Sequence, residues 1–231
     1  MSPVNTSGAR AYRSAVREEQ AAATRRRILD AAVELFQRPG YAATSVAAVA
    51  KAAGVAGQTV YNAFGSKPGL LRAAVDRTLV GDDEPVPLAD RPEIRRLQAE
   101  TDPEAFLRGY AELGRQVLER VGGLLWQVAA GAAAGDPDLL ALQRTLADQR
   151  RTGTLMVVRR VAELGALARG LSPERARDRI WALNSVELWR LLTDPEAGAG
   201  WSGEEYARWV GDAMCAAVLA PGAKPDLRSA G

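Results

Sequence analysis

The sequence predicts an all-α protein of two domains, and three observations carry that expectation. Apolar residues recur at three- and four-residue intervals along nearly the whole chain. No alternating run rich in Val, Ile and Thr suggests a strand. Helix starts are explicit in the second half: Asp102, Asp136 and Ser172 each precede a proline at the first helical position, and Ser202 with Glu205 spells a capping box.

Taken in order, residues 1–14 read as a flexible basic arm carrying Arg10 and Arg13. A first helix is expected over about 15–38, with Ile28, Ala32, Leu35 and Phe36 on one face, until Pro39 and Gly40 stop it. A short helix over about 45–52 follows Thr44, a good N-cap, and turns Val46, Val49, Ala50 and Ala53 inward. Gly54 supplies a left-handed corner. A third helix covers about 57–64, and a fourth runs from Ser66 to about Leu79 around Leu70, Leu71, Ala74 and Val75. These make a first domain over 15–80, with a helix-turn-helix at about 45–64. The acidic, proline-rich stretch GDDEPVPLADRP opens a linker over 81–101. A second domain over 102–220 holds helices at about 103–121, 123–133, 137–165, 173–192 and 203–219, and 221–231 is a frayed tail.

Composition narrows the chemistry. The 231 residues are 47% hydrophobic and 25% charged, ordinary for a globular protein. No apolar run approaches the roughly 18–20 residues of a membrane span, and residues 1–14 lack the apolar core of a secretion signal. The single Cys215 has no internal disulfide partner, which fits a cytoplasmic protein. There is no histidine, so the commonest general base and metal ligand are missing. Residues 1–80 carry a net +6 and residues 81–231 a net −4. That asymmetry points the first domain alone toward a polyanion.

The segment GQTVYNAF, Gly57 to Phe64, is the informative one. On a helix, Val60, Ala63 and Phe64 share one side, Gln58 and Asn62 lie nearly opposite, and Thr59 and Tyr61 flank them. Such a helix is anchored by apolar groups and displays amides and hydroxyls outward. The DNA major groove admits a helix, and Gln or Asn hydrogen-bonds base edges there, adenine in particular. The small residues Ala56 and Gly57 let the backbone approach closely. The preceding helix would cross the phosphate backbone, with Thr44 and Ser45 offering hydroxyls and N–H groups to a phosphate. Lys67 places a cation at a helix N-terminus, where the macrodipole disfavours it unless a phosphate lies near.

The run TSVAAVAKAAGVAGQTVYNAFGSKPGLL, Thr44 to Leu71, closely resembles the tetracycline-repressor (TetR) family of transcriptional regulators, as does the upstream RRRILDAAVELF. The resemblance is tight over about residues 24–80, where Gly40 and Tyr41, Ala53 to Val55, Val60 and Tyr61, Phe64, Ser66 and Lys67 fall in place. It implies that Tyr61 and Lys67 hold phosphates, that Thr44 and Ser45 cap and contact the backbone, and that Gly57, Gln58, Thr59 and Asn62 face bases. Two positions depart from the pattern. Ala56 stands where many members carry a capping Ser, and Asn62 replaces the more usual His or bulky aromatic.

The second domain is expected to dimerise and to bind an effector. A lone three-helix reader makes few contacts, and such readers work as dimers on half-sites about one turn apart. Leu183, Val186, Leu191 and Leu192, with Tyr206, Val210, Ala213 and Ala217, suit the dimer face. Phe106, Tyr110, Trp126, Met156, Trp181 and Trp189 concentrate among helices interrupted by glycines, a common setting for a ligand pocket. Gln127, Gln149, Asn184 and Glu187 are candidate polar contacts. By resemblance, a small-molecule effector would select a conformation that releases a palindromic operator. No cofactor or metal is expected.

Other readings are weaker. An enzyme would lack histidine, and the chain has no HExxH, CxxC, P-loop, GxGxxG or GxSxG. A nonspecific DNA-coating protein would spread its basic residues along the chain. A regulator without a ligand, or an adaptor using the helix-turn-helix for protein contacts, stays open at this level.

Overall fold

The computed structural model describes residues 6–80 and 92–221. The chain divides into two compact units, Met1–Thr78 and Leu79–Gly231. Every regular element among the described residues is a helix, and extended pairing is limited to one isolated bridge between Leu167 and Leu219. None of the described helices is long and apolar enough to cross a membrane.

In the first unit, α1 spans Thr6–Leu35 and passes into a π-helical turn, Phe36–Gly40. Residues 6–14, expected as part of a flexible arm, are helical: Ala9, Arg10, Ala11 and Arg13 are strong helix formers that continue the helix backward. Residues 1–5 of that arm lie outside the described residues. The expected stop at Pro39 takes a specific form. Proline has no N–H to give the carbonyl four residues back, Leu35, and the Thr44 hydroxyl donates to it at 2.9 Å. The same hydroxyl lies 2.8 Å from the Gly40 carbonyl. Phe36 is fully buried against Tyr41, ring centroids 5.4 Å apart.

The next helices are α2, Val46–Ala52, α3, Gly57–Phe64, and α4, Lys67–Val80. Ser45, not Thr44, caps α2: its Oγ accepts from the Ala48 N–H at 3.0 Å. Gly54 turns the corner at φ +64°, and the Val55 N–H closes it onto the Ala50 carbonyl at 3.0 Å. Gly69 has a different reason: a Cβ there would stand 2.3 Å from the Phe64 carbonyl oxygen. The core between these helices is Ile28, Val49, Val60, Leu70, Leu71 and Val75, none more than 1% exposed.

The second unit comprises α5, Pro92–Ala99, α6, Pro103–Ala133, α7, Pro137–Glu163, α8, Pro173–Leu183, α9, Val186–Thr193, and α10, Gly203–Val218. All four expected caps form, including the reciprocal box at Ser202 and Glu205. Of the expected linker and tail, residues 81–91 and 222–231 lie outside the described residues, whereas α5 is helical and Leu97 packs onto the core of this unit.

Two helix boundaries differ from expectation. Gly122 and Gly123 do not break α6. Glycine costs a helix about 1 kcal/mol relative to alanine, but here the segment is buried under α9, with the Trp189 indole lying directly over Gly122. Conversely, the single helix expected over 173–192 is split. Asn184 leaves helical geometry at ψ 49°, and Ser185 caps α9 by accepting from the Leu188 N–H at 3.2 Å. The interior joins Phe106, Leu107 and Leu118 of α6 to Val158 and Val161 of α7, Ile180 of α8, and Tyr206, Val210 and Met214 of α10.

Candidate functional site

In the first unit, α3 carries the polar face that the sequence assigns to it. Val60 is 1% exposed and anchors the helix, whereas Gln58 and Asn62 stand exposed beside each other. Gln58 Nε2 donates to Asn62 Oδ1 at 2.8 Å, so the two amides form one preset pair, i to i+4 along the helix. Thr59 and Gly57 are half-buried at its edge. Ala56 occupies the N-cap without a side-chain bond, leaving N–H groups of the first turn free of a side-chain cap. Ala63, expected as a third anchor, is exposed; Phe64 is half-buried.

Arg25 on α1 completes the mounting of α3. Its Nη1 donates to the Ala63 carbonyl at 2.9 Å, and its guanidinium carbon lies 4.3 Å from the Phe64 ring centroid. A cation thus sits on the carbonyl end of α3, where the helix dipole favours it. Nothing local in the sequence signals this contact, because the partners lie 38 residues apart.

The phosphate candidates separate into two groups. Tyr61 is 49% exposed, so its ring is not spent on the core. Ser45 is exposed at the start of α2. Lys67 lies at the start of α4 with its Nζ 4.2 Å from the Tyr41 ring centroid, held over an aromatic face. Thr44 is different. It is 3% exposed, its hydroxyl points to the Leu35 and Gly40 carbonyls, and its N–H donates to the Tyr41 carbonyl at 3.2 Å. Both its donors serve the turn, so Thr44 is a strut beneath Ser45 and neither the α2 cap nor an offered phosphate ligand.

The effector candidates also divide. Phe106 is 4% exposed and belongs to the core. Gln149 is exposed and Met156 is 62% exposed, so neither points inward. Trp126 is half-buried with the Arg190 guanidinium 4.7 Å from its ring centroid. Gln127 is half-buried on the next position of α6. Tyr110, Trp181 and Asn184 do come together. Asn184 Nδ2 lies 3.5 Å from the Tyr110 hydroxyl, and Gly114 makes room for it, since a Cβ there would lie 2.5 Å from Asn184 Oδ1.

Arg150 stands at the centre of that group. It donates through Nη1 to the Trp181 carbonyl at 3.0 Å and to the Asn184 carbonyl, the oxygens freed where α8 ends. Burial pushes its pKa down from the ordinary guanidinium value, with the field of Glu187 acting in the opposite sense. Sequence reasoning stops one residue short, at Gln149. The signal for Arg150 is nonetheless present: Arg150, Thr154, Val158 and Val161 form one helical stripe, and the last three are 0% exposed. An arginine on that stripe must be turned toward the interior.

Cys215 is buried, and burial pushes its thiol up to about 11, far from a nucleophile at neutral pH. Among the described residues, no group of three or more His, Cys, Asp or Glu is placed to hold a metal ion.

A polar helix presented outward after a glycine corner, in a basic N-terminal unit, forms a helix-turn-helix, an arrangement suited to the DNA major groove. Residues 28–74 match the family of bacterial regulatory proteins described as tetR family. No curated protein matches the chain. Solved structures share its fold. A transcriptional regulator from Saccharomonospora viridis in complex with choline superposes with a TM-score of 0.65 at 22% identity, covering 86% of this chain and 98% of that one. SmeT in its triclosan complex gives 0.66 at 24% identity, over 87% and 93%. NalD, the secondary repressor of the MexAB-OprM multidrug efflux pump in Pseudomonas aeruginosa, gives 0.63 at 22%, over 87% and 98%. Residues 28–74 are thus similar to that family's N-terminal domain, and the solved structures show that the whole chain shares their fold.

Proposed function

We propose that this protein is a cytoplasmic homodimeric repressor that reads a palindromic operator through α3 and releases it when a small molecule binds the second unit. The observation that carries the DNA-reading part is the paired Gln58 and Asn62 side chains, exposed on a helix whose opposite face is anchored by Val60. Gly57 and Thr59 border this face and let the backbone come near the bases. Ser45, Tyr61 and Lys67 supply the phosphate contacts on either side. Base edges then specify, and phosphates position.

The dimer face is proposed on the outer sides of α9 and α10. Tyr206 and Val210, expected there from sequence, are 0% exposed inside their own subunit, with Tyr206 edge-on to Trp189 at 4.8 Å between ring centroids. Leu191, at 62% exposed, and Trp209, at 43%, are the large apolar side chains those two helices leave outward. A pair of such groups meeting their symmetry mates would form the centre of an isologous interface.

Effector release is supported by the polar group around Arg150 and by the ligand-bound relatives, one with choline and one with triclosan. The test is fluorescence anisotropy on DNA from upstream of the protein's own gene, over a salt series, beside scrambled DNA of equal length. Salt-dependent binding that favours the native sequence by on the order of a thousandfold supports the repressor reading. Absence of binding to either DNA at low salt favours the adaptor reading.

A further inference from the structure

Arg150 is a half-buried cation, and among the described residues no carboxylate contacts it. Among the described residues its hydrogen bonds all leave from Nη1, to the Trp181 and Asn184 carbonyls, and Nε and Nη2 make none. The field of the Glu187 carboxylate acts on it through space, without a hydrogen bond or ion pair, as do the fields of the Tyr110 and Tyr206 phenols more weakly. The guanidinium carbon lies 4.5 Å from the Trp181 ring centroid, and that of Arg151 lies 4.6 Å from the same centroid. Trp181 supplies a covered donor: its indole N–H is shielded from solvent and has no acceptor. A buried donor left unpaired is costly, and its persistence calls for an explanation such as a bound acceptor.

These donors select a ligand chemistry. The free edge of a guanidinium matches the two oxygens of a carboxylate, and charge-assisted bonds of this kind are the stronger ones. A cationic ligand is disfavoured, because two arginines already occupy the surroundings of the Trp181 ring. The half-buried Tyr110 ring, close to Asn184, suits a flat, apolar body. We propose that Arg150 and Trp181 form the acid-recognising end of the effector site, and that the effector is an organic carboxylate with an aromatic body. This rests on reading the second unit as an effector domain.

The experiment is isothermal titration of the full-length protein with 1-naphthoate, its neutral counterpart 1-naphthamide, and choline chloride. Naphthoate is expected to bind, naphthamide at least tenfold more weakly, and choline not at all. Because Arg150 also holds the end of α8, Arg150→Gln alone could act through folding, so two gentler variants accompany it. Arg150→Lys keeps the charge without the planar edge and is expected to weaken naphthoate by about tenfold. Trp181→Phe keeps a ring and removes the N–H, and is expected to weaken it by about threefold to tenfold, as for one missing hydrogen bond. Thermal melting of each variant checks the fold. Equal affinity for acid and amide, naphthoate binding unchanged in both gentle variants, or no naphthoate binding at millimolar concentration overturns the proposal. Operator binding by the same preparation is scored separately: if it persists while naphthoate fails, the regulator reading stands and only the acid-binding inference falls.

Discussion

The two polar groups of this molecule are built in opposite ways. On α3 the amides of Gln58 and Asn62 are exposed and bonded to each other. Around Arg150 the donors are drawn inward, and one of them, the Trp181 N–H, is covered and unpaired. An exposed pair loses little when it exchanges its mutual bond for a base edge, because water serves as well in the free protein. A covered donor has no such reserve, so it discriminates more sharply among ligands. Under the proposed function, the contrast suits a surface that scans many sequences and an interior group that answers to few molecules.

The comparison can be broken or sharpened by substitution, beginning with the largest effect. Trp209→Asp, alone or with Leu191→Asp, is expected to shift the proposed dimer toward monomer, weakening association by about 2–4 kcal/mol. Analytical ultracentrifugation checks it, and an unchanged dimer would move the interface elsewhere. Next come the reading amides. Gln58→Ala and Asn62→Ala each delete one amide's hydrogen bonds to a base, which is expected to weaken operator binding by about 1–3 kcal/mol and to relax base preference. Binding to a set of single-base operator variants measures both.

Smaller effects test the mounting of α3. Lys67→Ala is expected to weaken binding to all sequences alike and to reduce the salt slope by about 2 per dimer, one phosphate from each reader. The slope of log affinity against log salt reads it directly. Arg25→Ala removes the bond to the Ala63 carbonyl and the stacking on Phe64, and should lower operator affinity by about 1 kcal/mol without changing base preference. Last, Ala56→Ser supplies the missing cap and should raise thermal stability of the first unit by about 0.5–1 kcal/mol. A melt that does not rise would show that the first turn of α3 has no need of one.

The first unit is largely legible from its sequence because its signals are local. Ser45, Gly54 and the eight-residue register of GQTVYNAF sit within a few residues of what they determine. Thr44 misleads because the decisive partner is further away. A threonine before a helix reads as a cap, but the carbonyl that Pro39 leaves free lies nine residues back and takes the hydroxyl. In the second unit the caps are legible, and the packing that decides function is not. Gly122 reads as a helix breaker until Trp189 is known to lie against it. Tyr206 and Val210 read as an outer face until α6 and α8 are packed around them. Arg150 is within reach of the sequence, since an arginine in register with Thr154, Val158 and Val161 contradicts an otherwise buried stripe.

The central claim is that the Gln58 and Asn62 pair reads base edges, and selection from a random-sequence DNA pool tests it most directly. The wild-type protein and the Gln58→Ala, Asn62→Ala double variant would be selected in parallel and the enriched sites sequenced. A two-fold symmetric site with the wild type, and a loss of preference confined to corresponding positions of both half-sites with the variant, is the predicted result. The same site and the same preferences from both proteins would contradict the account.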